Sequence, residues 1–308
     1  MFTMWRILRF RTLLFCLFIV GITLSLFCTK EPDETLFLVV HSFSSTFSQS
    51  QFERAVSQTA DSLDLNVVLY EQNEFAKLSP AEVDSLLDRS NALALSALDS
   101  QWMATLVENK PETAPIIGFD QRPALDMAVY IDSDYYTAGR AAGEYVRSAF
   151  GKDGRFAIIT PSLQNEESNE CIRGFRETLG VAPDRWKQLN ILTCNTPNYI
   201  ISTQFRRLSA TEPKPVWLVA GPCNDFLQSL QGDKTENFFI TVALDIENQM
   251  PQVQQAMFDR LAVKDYSRMG VLVVETFQQI ETEQSSLRKL NCGVQVKSWQ
   301  DLVSLEPQ

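Results

Sequence analysis

The sequence predicts an α/β protein of two Rossmann-like lobes, each built on a parallel sheet covered by helices. Three observations carry this expectation. Short, nearly unbroken apolar runs alternate with longer amphipathic ones. Strands that are apolar on both faces belong to sheets buried on both sides. The alternation also runs through twice in 308 residues, which is enough chain for two compact cores.

In the first round, LFLVV (Leu36–Val40) reads as a strand. Ser48–Leu63 follows as a helix, with Phe52, Val56, Ala60 and Leu63 at helical spacing. NVVLYEQ (Asn66–Gln72) is the second strand, and Pro80–Arg89 a helix with proline in its first turn. ALALSA (Ala92–Ala97) is a buried strand before a helix over Gln101–Glu108. PIIGFD (Pro115–Asp120) and MAVYID (Met127–Asp132) are two more strands. The second round begins at RFAIIT (155–160), followed by a helix over Glu167–Leu179. LNILTC (189–194) precedes a helix over Ile200–Leu208, and VWLVAG (216–221) one over Asp225–Leu230. FFITVALD (238–245) precedes one over Met250–Asp259.

Ligands of such sheets collect at the carboxyl ends of the strands. Those ends carry His41, Ser42 and Ser44, then Glu71 and Asn73, then Leu98, Asp99 and Ser100, then Asp120, Gln121 and Arg122. In the second round they carry Ser162, Asn195 and Thr196, Asn224 and Asp225, and Asp245. Hydroxyls, amides and carboxylates gathered on a desolvated wall suit a small ligand with many directional hydrogen bonds.

The composition removes several alternatives. The net charge is −11, and about −14 without Arg6, Arg9 and Arg11, so no broad basic surface for nucleic acid is expected. His41 is the one histidine, which disfavours histidine-rich zinc sites and Ser-His-Asp catalysis. Neither a phosphate-binding loop, a dinucleotide fingerprint nor a nucleophile elbow is present, and 12 glycines leave little room for close backbone approach to a nucleotide. No cofactor and no metal is expected.

The first 27 residues read as an export signal. MFTMWRILRFR carries three arginines and no acid, and TLLFCLFIVGITLSLF (Thr12–Phe27) carries no charge. That apolar core is 16 residues long, short of the roughly 20 of a membrane span. Cys28 follows directly, ahead of polar TKEPDE, and the pattern resembles a lipoprotein signal in which this cysteine is lipidated. Phe27 and Ser25 depart from that pattern. Export places Cys171, Cys194, Cys223 and Cys292 where disulfides form. Cys194 and Cys223 end or follow apparent strands; they pair if those strands are neighbours, and otherwise all four are buried thiols.

Six segments in order resemble the type I periplasmic binding proteins, in their ribose-binding and LacI-type sugar-binding branch: PIIGFDQRP (115–123), VYIDSDYYTAGRAAGEYV (129–146), CIRGFRETL (171–179), LVAGPCNDF (218–226), VALD (242–245) and LAVKDYSRMG (261–270). The resemblance covers roughly Leu36 to Val303. It implies two lobes joined by a three-strand hinge, with crossovers near Asp132–Ser133, Lys264–Asp265 and Lys297–Trp299. The first lobe is then 36–132 plus 265–297, and the second 133–264 plus 298–308, after a tether over 28–35.

It also implies ligand contacts. Asp120 matches the acid that accepts sugar hydroxyls, with Arg122 one place later than the family's usual arginine. Phe47 matches a stacking aromatic, or is a core phenylalanine. Asp134 either caps a helix or lines the cleft, or does both. Asn224 and Asp245 match polar contacts of the second lobe, Asp99 stands at a strand tip, and Lys264 replaces a common glutamine. Cys171 stands where an arginine usually enters the cleft, beside Asn165, Glu166 and Glu167. Ala138, Gly139, Ala141, Ala142 and Gly143 would let their helix pack close to the second sheet. The resemblance implies a lipid-anchored, monomeric solute receptor, held on the outer side of a membrane, that hands a sugar-like ligand to an ABC permease or reports it to a membrane sensor. An enzyme and a scaffold with a degenerate pocket are the competing classes.

Overall fold

A computed structural model of the chain describes residues 36–43, 45–96, 102, 106, 108–110, 114–120, 127–151, 155–180, 190–221, 223, 226, 237–242, 244, 258–280, 288–298 and 300–301. The leader and Cys28 lie outside the described residues. So do Asp99, Arg122, Asn224 and Asp245, and the expected helices over Asp225–Leu230 and Met250–Asp259, apart from Phe226, Phe258 and Asp259.

Two six-stranded sheets form the frame. The first contains β1 (Leu36–His41), β2 (Asn66–Glu71), β3 (Ser90–Leu95), β4 (Ile116–Phe119), β5 (Val129–Asp132) and β11 (Arg288–Asn291). Its order is β11-β5-β4-β3-β1-β2, and every pairing is parallel. The second contains β6 (Phe156–Thr160), β7 (Asn190–Thr193), β8 (Val216–Val219), β9 (Phe238–Val242), β10 (Arg260–Lys264) and β12 (Val294–Lys297), in the order β12-β10-β9-β8-β6-β7. It is parallel except for β12, which runs antiparallel to β10 at the edge. Wholly buried β1, β4, β6 and β8 account for the unbroken apolar runs.

The described helices are α1 (Thr46–Leu63), the short α2 (Gln72–Phe75), α3 (Pro80–Arg89), α4 (Tyr135–Phe150), α5 (Glu166–Leu179), α6 (Asn198–Ser209) and α7 (Tyr266–Ile280). Their starts are chemically marked. Ser79 and Glu82 form a reciprocal capping box ahead of Pro80. Ser45, Asp134 and Asn165 cap α1, α4 and α5 by accepting from the amides of Ser48, Thr137 and Ser168.

The small residues of α4 divide between two neighbours rather than serving the sheet alone. Ala138, Ala142 and Val146 join Ile158, Leu218, Ile240 and Ala262 in the core under the second sheet. Gly139 and Gly143 face α5, where Gly174 answers them. A methyl on Gly139 would overlap the Cys171 carbonyl, and one on Gly174 the Tyr136 carbonyl. The two backbones therefore touch.

The chain passes between sheets three times: from β5 to α4, from β10 to α7, and from β11 to β12. The third crossover lies at Cys292–Gly293, not at Lys297–Trp299 as the sequence suggested. Residues 294–297 consequently belong with the second sheet. Both flanking strands are four residues long and broken by polar residues, RKLN and VQVK, so neither shows an apolar run. Edge strands need none.

Candidate functional site

The site grows from the register of β4 and β5. Phe119 pairs with Ile131, so the next positions, Asp120 and Asp132, stand side by side at the sheet's carboxyl edge. Asp120 turns away from the strand at φ 62°, a left-handed conformation that aspartate tolerates better than most residues. Its amide donates to Ile131 O at 3.0 Å, which fixes the turn.

Lys264, the last residue of β10 in the other sheet, reaches both acids. Its Nζ lies 2.9 Å from Asp120 Oδ1, 3.1 Å from Asp120 O and 2.8 Å from Asp132 Oδ1. Tyr130 Oη is 3.1 Å from Asp120 O and 3.0 Å from Asp132 Oδ2, and its single proton serves one acceptor at a time. The Lys264 side chain is 8% exposed. Burial alone would lower its pKa, but the carboxylates of Asp120 and Asp132 outweigh that and hold it well above the ordinary lysine range.

The three crossovers are knitted around this cluster. Cys292 N–H donates to Asp132 O at 3.0 Å, and Asp265 N–H to Gly293 O at 3.1 Å. Asn291 Nδ2 donates to Thr137 Oγ1 at 2.9 Å. The carboxyl ends of both sheets thus meet at one place.

Several expected contacts have structural employment. Asp134 accepts from Thr137 N at 2.7 Å as the cap of α4. Phe47 is buried, edge-on to Tyr266. His41 is buried and 3.0 Å from Glu53, stacked on Phe43. Ser42 N donates to Ser96 Oγ at 2.9 Å, and the hydroxyl oxygens of Thr196 and Thr193 lie 2.9 Å apart. Asn165 caps α5, and Glu166 and Glu167 occupy its first turn, where acids favour the helix dipole. Cys171 is buried and its thiol is pushed up to about 12 by burial, as is Cys292, to which Asp132 adds. Neither thiol is ionised at neutral pH. Cys194 and Cys223 form a disulfide with Cα atoms 5.7 Å apart, which settles the alternative left open by the sequence.

Two features escaped sequence reasoning. The Lys264 cluster joins residues 144 positions apart, and no local signal links them. Tyr199, at the start of α6 beyond the carboxyl end of β7, is 74% exposed. An aromatic just after a strand tip was its available signal. Among the described residues no group of acids, cysteines and histidine is placed to hold a metal ion, and no helix is long and apolar enough to cross a membrane.

Two sheets with converging carboxyl ends and three crossovers define a two-lobed binding protein. The chain belongs to the periplasmic binding protein domain family, whose model matches residues 36–281. The fold is that of the type I periplasmic binding proteins, and family membership implies a location outside the cytoplasm. The chain is similar to AraP, an arabinose-binding protein from Geobacillus stearothermophilus, with a TM-score of 0.58 at 13% identity over 89% of this chain and 100% of that one. It is similar to XylFII solved as a mutant complex with LytSN, with a TM-score of 0.57 at 12% identity over 87% of this chain and 99% of that one. A sugar-binding protein of a sugar ABC transporter from Bacillus halodurans gives a TM-score of 0.51 at 16% identity, over 88% of this chain and 100% of that one. At these identities the likeness is one of fold. A search of curated protein sequences found no match.

Proposed function

We propose that the protein is an exported receptor that closes its two lobes on a small polyhydroxy ligand, a sugar or a close relative. The observation that carries this reading is the meeting of both sheets' carboxyl ends at the Asp120–Asp132–Lys264 cluster, beside three crossovers. Polar tips of two hinged sheets make a cleft in which a ligand can be desolvated on all sides. The folds of AraP and of the Bacillus halodurans protein support a sugar as the ligand class. Tyr199 supplies an exposed ring for stacking on a sugar face. Phe47, Asp99, Asp120, Arg122, Asp134, Asn224, Asp245 and Lys264 are the polar and aromatic contacts proposed from the sequence. The mature chain is tethered by a lipidated Cys28 and delivers its ligand to an ABC permease as a monomer.

A second reading has a specific support. XylFII was solved in complex with another protein, LytSN, so a protein partner other than a permease, such as a membrane sensor, fits this fold. Uptake of the ligand that fails when a permease is deleted separates the two.

The test is a thermal-shift screen with pentoses, hexoses, polyols, nucleosides and amines. A true ligand at 100 times its Kd stabilises the protein by about 2.7 kcal/mol. A screen in which sugars and polyols all leave the melting temperature unchanged overturns the reading.

A further inference from the structure

In the family resemblance Asp120 is the acid that accepts ligand hydroxyls; in this protein it is already held. The Lys264 ammonium has three N–H donors. It donates to Asp120 Oδ1 at 2.9 Å and Asp120 O at 3.1 Å, and forms an ion pair with Asp132 Oδ1 at 2.8 Å. The donor stands on the second sheet and its acceptors on the first. The backbone links between the sheets are short: residues 133–134, residue 265 and residues 292–293. Charge-assisted hydrogen bonds in a site this dry are strong and directional.

We propose that Lys264 is an interlobe strut: its side chain takes the grip on Asp120 that the ligand would otherwise take, and holds the unliganded lobes at one resting hinge angle, from which ligand binding draws them closed. Asp120 is then a hinge anchor, and recognition of ligand hydroxyls falls to residues further out along the cleft. The inference deepens the receptor reading and rests on it only for what Asp120 would otherwise do. Tyr130 Oη also meets Asp120 O and the other Asp132 oxygen, Oδ2, and Cys292 N–H holds the Asp132 carbonyl, so the backbone that carries both acids is fixed at the crossover. Because the pair is buried, added salt screens it little.

The test needs no ligand. Spin labels at Ser85→Cys on α3 and Gln204→Cys on α6, both exposed, report the distance between the lobes by pulsed electron resonance in the purified full-length protein. Cys171 and Cys292 are buried and Cys194–Cys223 is a disulfide, and Cys16 and Cys28 are replaced by serine, so that only the introduced cysteines are labelled. The unmodified hinge is expected to give one narrow distance peak. Lys264→Met should lose that peak to a broad distribution. The combination of Lys264→Met, Asp120→Asn and Asp132→Asn, which strands no buried charge, should do the same. A broad distribution in the native hinge, or an unchanged narrow one in either folded variant, overturns the proposal. Loss of folding in both variants also counts against it, since the cluster would then be a requirement of the fold. Failure here leaves the ligand screen untouched, and failure of that screen leaves these distances standing.

Discussion

At the scale of single residues, one ammonium balances two carboxylates in a nearly dry place. Removing one partner of a buried ion pair leaves uncompensated charge and costs about 3–5 kcal/mol. Lys264→Met is therefore expected to lower stability by that amount in urea unfolding, and neutralising both acids as well should recover much of it. The pH dependence follows from the direction of the shift. Lys264 has a raised pKa in the folded state, so its contribution is complete below the ordinary lysine pKa and is lost as pH rises through the folded value. Above about pH 10.4, stability should fall more steeply in the native protein than in Lys264→Met. Parallel slopes would show that the ammonium is not held as described. Asp120 was legible in the sequence as an acid at a strand tip. Its partner was not, because a contact between residues 120 and 264 is made by topology rather than by local pattern.

At the scale of elements, two junctions make the sharpest statements. The contact of α4 with α5 depends on glycine facing carbonyl, so Gly174→Ala forces the Tyr136 backbone to move. Such overpacking costs about 1–3 kcal/mol, measurable as a lower midpoint in denaturant. The Cys194–Cys223 bridge spans 29 positions. Cys194→Ser should lower stability by about 3 kcal/mol through the freed unfolded chain, and chemical reduction of the native protein should produce a similar loss. Element boundaries were legible wherever the chain marks them chemically. Pro80–Arg89 matches α3 because Ser79, Pro80 and Glu82 leave little choice about where it starts. The start of α1 lies two residues earlier than its apolar spacing implied, since Ser45 is the cap. β11 and β12 could not be read, being four-residue edge strands without an apolar run, and so the third crossover was misplaced.

At the scale of the whole molecule, the two-lobe order was visible because parallel sheets buried on both faces demand apolar strands, and nine of these stand in sequence. The site was legible only as a region. Strand tips named it, but several of their polar groups serve the fold: Ser42 with Ser96, Thr196 with Thr193, Asp134 with Thr137 N. A tip residue that caps a helix and one that holds a ligand look alike until partners are seen, which is why Tyr199 and Lys264 carry more than composition implied. The central claim is that the lobes close on a small polar ligand. Small-angle X-ray scattering of the purified protein, with and without saturating members of the sugar and polyol panel, tests it most directly. The expected result is a smaller radius of gyration with at least one of them. Identical scattering with every member would contradict the account.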